Sequence, residues 1–180
     1  VHYPAGSGPV ALCAADFDGD GSPDLATANA GGNSVSLLRN TGLGSFAAPV
    51  NYSVGVSPVS ICAVDFVGDA MLDMAVANET SSTITILSNN GDGSFGLGGS
   101  ISVATGPLQV IAADFNRDAR SDLAAGTKFG AISVVLNEPT PHASDYAVGS
   151  TWVLLSAGRM DGDANLDLAV LSVSDENISV

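Results

Sequence analysis

Residues 14–29 read AADFDGDGSPDLATAN, and the pattern returns as AVDFVGDAMLDMAVAN over 63–78, AADFNRDARSDLAAGT over 112–127 and AGRMDGDANLDLAVLS over 157–172. Their first loop positions, Asp16, Asp65, Asp114 and Arg159, are spaced by 49, 49 and 45 residues. A fixed period of this length marks a chain of repeated supersecondary units. The flanks repeat as well. Tyr52-Ser-Val-Gly returns as Tyr146-Ala-Val-Gly, with Tyr3-Pro-Ala-Gly a looser copy, and Gly44-Ser-Phe46 returns as Gly93-Ser-Phe95. The shorter last spacing goes with loss of the Gly-Ser-Phe turn, replaced by Glu138-Pro-Thr-Pro-His142.

Each unit reads as short strands. An apolar run, Val10–Ala15 or Val59–Val64, leads into the acidic loop and is expected to be fully buried. The runs Leu25–Ala28, Met74–Ala77 and Leu168–Leu171 leave it. Alternation follows, with Val35 and Leu37 against Ser34 and Ser36, and Ile84 and Ile86 against Thr83 and Thr85. Period-two alternation means a strand with one buried face. A Gly-rich turn and a fourth strand complete the unit, and no segment offers ten residues of helical periodicity. Four strands in about 45–50 residues is the pattern of a propeller blade. The expectation is an all-β chain of four-stranded antiparallel blades, a single repeat domain over 1–180 with units near 1–50, 51–99, 100–144 and 145–180. Ala14, Ala15, Ala63, Ala112 and Ala113 suit an innermost strand, where blades converge. A four-stranded solenoid layer is the main structural alternative.

Composition narrows the function. Nineteen Asp and Glu against five Lys and Arg give a net charge of −14. That excludes a basic footprint for nucleic acid and argues against anionic membrane surfaces. No apolar run reaches the roughly 20 residues of a membrane span. Opening on Val1 rather than Met points to a processed product or part of a longer chain. His2 and His142 fall in expected connections with no motif around them, so neither a Ser-His-Asp system nor a transition-metal site is indicated. The expectation is a protein that is not an enzyme. Cys13 and Cys62 share one position in consecutive inner strands and read as free, buried thiols.

Thirteen of the nineteen acidic residues sit in the four nine-residue loops. Carboxylates crowded into a tight loop repel one another unless a cation is present. Calcium takes six to eight oxygens, and side chains at positions 1, 3, 5 and 9 with a carbonyl at position 7 can supply most of them. The first loop is complete, with Asp16, Asp18, Asp20, the carbonyl of Ser22, and Asp24. Gly21 stands where the sharp turn favours a residue without a side chain. The third offers Asp114, Asn116, Asp118, the Arg120 carbonyl and Asp122. The fourth keeps Asp161, Asp163, the Asn165 carbonyl and Asp167 but has Arg159 first. The second keeps Asp65, Asp69 and Asp73, while Val67 brings no oxygen. A defective loop can still hold its shape through Asx-type turns alone.

These loops, each followed by a run like Asp-Leu-Ala-Val-Ala-Asn, resemble the FG-GAP repeats, also called VCBS-type repeats, of integrin α-chain propellers and many secreted proteins. The resemblance covers the whole chain. It implies a β-propeller with Ca²⁺ in the loop between the two inner strands of a blade, and an extracellular or cell-surface interaction or adhesion module whose ligand is a protein or a glycan. The Phe-Gly of the family name is kept only at Phe95-Gly96, with Phe46-Ala47 in the first unit, and four units stand where the family usually closes seven blades. The chain is therefore expected to be a fragment of a larger propeller. Alternatively, the Val1-His-Tyr-Pro segment supplies the fourth strand of the last unit, closing a small ring or joining copies head to tail. The rival functions are a structural repeat protein of a surface layer, stalk or fibre, and an accessory domain of a larger hydrolase. Trp152 and Tyr146 could stack on a sugar, but core packing is the expected role. Asn51, Asn78 and Asn177 open glycosylation sequons.

Overall fold

The computed structural model describes residues 1–180 apart from Gly162, Ala164, Asn165 and Ser174. The described residues form fifteen strands and no helix. Strands β1 (Pro9–Ala15), β2 (Asp24–Asn29), β3 (Ser34–Leu38) and β4 (Val50–Ser53) make the first sheet. The second holds β5 (Pro58–Val64), β6 (Asp73–Asn78), β7 (Thr83–Asn89) and β8 (Phe95–Ser102). The third holds β9 (Pro107–Ala113), β10 (Asp122–Thr127), β11 (Ala131–Leu136) and β12 (His142–Ala147). The last comprises β13 (Val153–Gly158), β14 (Asp167–Ser172) and β15 (Asn177–Ser179). Every sheet is an antiparallel meander in chain order, as four-stranded blades require. The sheets are offset from the sequence units by a few residues, because the Tyr52 and Tyr146 motifs belong to the outer strand of the blade before them.

The repeat reaches down to register. Ala15 pairs with Asp24, Val64 with Asp73, Ala113 with Asp122 and Gly158 with Asp167, so each acidic loop closes on the same rung. Blades then pack face to face in order, with β1 beside β5, β5 beside β9 and β9 beside β13. Ala28, Val35 and Leu37 of the first blade bury against Ile61, Val76 and Phe95 of the second. Ala77 and Ile84 of the second meet Val110, Ala125 and Val135 of the third. Ile132 of the third meets Val153, Leu155 and Val170 of the last. Size is matched across the joint. Gly126 lies under Leu155, and a Cβ there would collide with the Val153 carbonyl oxygen.

The series is open, and its end faces differ from expectation. Leu12 holds the position of Ile61, Val110 and Leu155, which are buried, yet it is 60% exposed, with Val10 at 58%. The run 10–15 is therefore not fully buried, because the first sheet has a neighbour on one side only. Ile178 repeats the buried Ile84 and Ile132 and is 74% exposed for the same reason. The N-terminal segment does not close the last blade. Tyr3 instead meets the Phe46 ring edge-on at 5.3 Å, as Tyr52 meets Phe95 at 5.6 Å, and so takes the place of an outer strand beside the first blade.

Two further expectations are corrected. Trp152 and Tyr146 are 51% and 55% exposed and pack in no core. Trp152 sits at φ 29°, in a connection where the other blades place Gly8, Ser57 and Gly106 at positive φ, and that backbone aims its ring outward. Asn78 is fully buried, and its amide donates to Thr85 Oγ1 at 2.9 Å, so within the fold it is a core residue and no acceptor for a glycan.

Candidate metal centre

The first three loops share a backbone as well as a pattern. Position 4 has positive φ in Gly19, Gly68 and Arg117, and position 6 has it in Gly21, Ala70 and Ala119. Two left-handed residues fold the chain back so that successive amides point inward. In the first loop Asp16 Oδ1 accepts from the Gly19 and Asp20 amides at 2.8 and 3.1 Å, and its Oδ2 from Gly21 at 2.8 Å. Asp20 Oδ1 accepts from Ser22 N at 2.7 Å. The second loop repeats this with Asp65 accepting from Gly68, Asp69 and Ala70. The third repeats it with Asp114 accepting from Arg117, Asp118 and Ala119. A carboxylate at position 1 thus holds the turn closed even in the loop where Val67 has replaced an oxygen donor.

Position 9 has a separate role that sequence reading missed. Asp24, Asp73 and Asp122 are fully buried at the start of the second strand of their blades. Asp24 Oδ2 accepts from Phe17 N at 3.2 Å and Oδ1 from Asn40 N at 2.7 Å. Asp73 accepts from Phe66 N and Val67 N through Oδ2 and from Asn89 N through Oδ1. Asp122 accepts from Phe115 N and Asn137 N. Asp167 accepts from Met160 N and Asp161 N. In the first three blades this aspartate staples the loop to the chain at the end of the third strand, whereas the amides on Asp167 come from its own loop. Burial pushes the Asp24 carboxyl above the ordinary carboxylate range, with the charges of Asp18 and Asp20 adding to the rise, while the two amides pull it back down.

The oxygens that converge differ among loops. Asp16, Asp18 and Asp20 each place one carboxylate oxygen within 4.8 Å of the others, as do Asp161, Asp163 and Asp167. Asp24 stands outside the first group, turned toward its amide donors. Asn165, expected to lend a carbonyl to the fourth loop, lies outside the described residues. Among the described residues, the acids of the second and third loops gather no such triplet. In the third loop position 3 is Asn116 and not an acid, and the Arg120 guanidinium also engages Asp118. Its Nη2 stands 2.7 Å from Asp118 Oδ2, and the Asn116 amide donates to the same oxygen at 3.1 Å. Hydrogen bonding from Arg120, foremost its side chain, holds the Asp118 carboxyl down at about 2. Arg120, read from sequence for its carbonyl, supplies a cation of its own to the loop. The hard oxygen set of the first loop fits calcium, with Asp16, Asp18 and Asp20 at hand and the Ser22 carbonyl next along the turn.

Other chemistry is thinly provided. His142 opens strand β12, exposed, rather than lying in a connection. Burial pushes the Cys13 thiol up to about 11 and the Cys62 thiol up to about 12, so neither is a thiolate at neutral pH.

The family model for the FG-GAP-like repeat matches twice, over residues 16–76 and 65–125, together well over half of the chain. The chain belongs to the FG-GAP-like repeat family. Both matches start at the first aspartate of an acidic loop and run into the second strand of the following blade. No curated protein matches this FG-GAP-like repeat chain. Among solved structures, one from a crystal of BBS1N in complex with ARL6DN, soaked with lead, is 18% identical with a TM-score of 0.66. The alignment covers 97% of this chain and 56% of that one, so the FG-GAP-like chain spans little more than half the length of its neighbour. The same complex soaked with mercury gives 19% identity and a TM-score of 0.62, over 97% and 57%. A chain of the Photorhabdus luminescens Tc holotoxin pore matches at 19% identity and a TM-score of 0.54, covering 93% of this chain and 8% of that one. At such identity the likeness is one of fold, and the fold is the β-propeller.

Proposed function

We propose that this FG-GAP-like propeller segment is a non-enzymatic interaction module whose acidic loops bind structural Ca²⁺. The observation that carries the reading is that Asp16, Asp18 and Asp20 bring one carboxylate oxygen each to within 4.8 Å of the others in the first loop, a crowding of negative charge that a cation would relieve. The fourth loop, with Asp161, Asp163 and Asp167, is the second site. The third loop, with Arg120 on Asp118, is the weaker one, and the second holds its turn by hydrogen bonds. Millimolar calcium keeps even modest sites filled, which favours an extracellular or cell-surface setting. A protein ligand is supported by the BBS1N structure, which is that of a complex with ARL6DN. A glycan is the other ligand class, and the exposed Trp152 and Tyr146 offer rings to it.

Isothermal calorimetry with Ca²⁺ on the wild type, Asp18→Ala and Asp163→Ala tests this. Two binding events are expected in the wild type, with one lost in each variant. Heats indistinguishable from dilution in all three would refute the metal reading. A second reading, assembly into a layer or fibre, draws on the exposed apolar end faces at Val10, Leu12 and Ile178. Calcium-dependent growth of particles in light scattering, without added ligand, would select it.

A further inference from the structure

The first loop is anchored to a blade other than its own. Asn89 closes strand β7 of the second blade and is almost fully buried. Its Nδ2 donates to the Phe17 carbonyl at 2.7 Å, 72 residues away, and to the Leu72 carbonyl at 3.0 Å. Its Oδ1 accepts from Gly91 N at 2.9 Å, and its own amide donates to Asp73 Oδ1 at 2.9 Å. Every polar atom of the side chain is engaged, and one residue thereby ties the first loop to the second.

Phe17 lies between Asp16 and Asp18. Its amide is held by Asp24, its carbonyl by Asn89, and its ring, 2% exposed, meets Phe95 of the second blade edge-on at 5.5 Å. The backbone that sets the distance between the first two carboxylates is thus fixed from the neighbouring blade. The arrangement repeats. Asn137, at the same place in the third blade, donates to the Phe66 carbonyl of the second loop at 2.6 Å, and its amide donates to Asp122. Asn40 shows what remains without a preceding blade, since its amide group reaches only its own loop, at the Pro23 carbonyl.

We propose that Asn89 is a positioning residue for the metal loop of the blade before it, an anchor that acts across one blade joint only, as Asn137 does separately for the second loop. The inference rests on the calcium reading for its effect on affinity, but the anchor itself is a property of the metal-free chain. A buried hydrogen bond that holds a ligand-bearing backbone changes affinity by roughly fivefold to tenfold.

The test pairs Asn89→Ala with Asn137→Ala, each compared with the wild type for the calcium site removed by Asp18→Ala. Asn89→Ala is expected to weaken that site about fivefold to tenfold, and Asn137→Ala, which loses a similar bond one joint further on, to leave it within twofold. Equal weakening by both would mean a general loss of stability and overturn the proposal, as would an unchanged site in Asn89→Ala. In chelator, hydrogen exchange by NMR reads the Asn89 anchor without metal. The Gly19, Asp20 and Gly21 amides, which donate to Asp16, should exchange faster in Asn89→Ala and not in Asn137→Ala. Should the wild type bind no calcium at this loop, the calcium reading fails while the exchange result still decides the anchor, and unchanged exchange in Asn89→Ala refutes it. Asn89→Asp, which keeps the shape and turns the donor into an acceptor facing the Phe17 carbonyl, should act in the same direction if Asn89→Ala does not fold.

Discussion

Replacing Asp73 by asparagine should destabilise the protein by about 3 kcal/mol, and by the same amount whether or not calcium is present. Asp73 is fully buried and receives three backbone amides, from Phe66 at 2.9 Å, Val67 at 3.0 Å and Asn89 at 2.9 Å. Asparagine keeps one acceptor oxygen and turns the other into a donor that faces an amide. At least one buried N–H is then left without a partner, at about 1–3 kcal/mol, and the remaining bonds lose the roughly twofold advantage of a charged acceptor. Alanine orphans all three donors and should cost more, a large share of the 5–15 kcal/mol typical of a whole domain. The second loop has Val67 where a metal ligand would stand, so none of this loss should pass through calcium. Urea denaturation followed by circular dichroism, in calcium and in chelator, measures it as a shift in midpoint at constant slope. A loss below about 1 kcal/mol, or one that appears only in calcium, would refute the reasoning that position 9 is first a structural staple.

Other outcomes follow from the same geometry. Ala70→Gly and Ala119→Gly relieve left-handed backbone at φ 67° and should each stabilise by about 0.5–1 kcal/mol, whereas an unchanged or lowered midpoint would count against the shared loop conformation. Gly126→Ala puts a methyl group against the Val153 carbonyl and should cost about 1–3 kcal/mol through the joint between the last two blades, and a neutral result would contradict that close approach. Asp175 accepts from the hydroxyls of Ser172 and Ser150 and from the Ser150 amide, and these bonds hold its carboxyl below the usual range. A group whose pKa is lower folded than unfolded contributes stability above its unfolded value, near 4, that is lost as the pH falls through the folded one. Melting between pH 5 and pH 3 should therefore decline less in Asp175→Asn than in the wild type, and identical declines would remove Asp175 from the account.

The loops and blades were legible because their signals are local and periodic. A 49-residue repeat and period-two alternation specify meandering sheets whatever the detailed packing, and the rung joining Ala15 to Asp24 recurs in each blade. The roles of single residues were less so. Asp24 reads as a ninth-position ligand, yet its oxygens face the Phe17 and Asn40 amides, and nothing in the sequence says which donors a buried carboxylate will meet. Arg120 reads as a carbonyl donor, while its flexible side chain reaches back to Asp118. Asn89 taken alone carried no signal, since its partner Phe17 is distant in sequence and meets it only once two blades are packed. Repetition of Asn40, Asn89 and Asn137, each near the end of the third strand of its unit, was the clue available. Burial of β1 was overestimated because an apolar run predicts a face suited to packing and does not supply the neighbour that covers it.

Central to the account is the proposal that Asp16, Asp18 and Asp20 hold a calcium ion. A crystal structure of the calcium-loaded protein, with the ion identified by its anomalous scattering, tests this most directly. The account predicts a peak in the first loop, with oxygens of those three side chains at about 2.3–2.6 Å from it. Carboxylates at the same positions with no anomalous peak between them, holding only the amides of Gly19, Asp20 and Gly21, would contradict it and leave the first loop a hydrogen-bonded turn like the second.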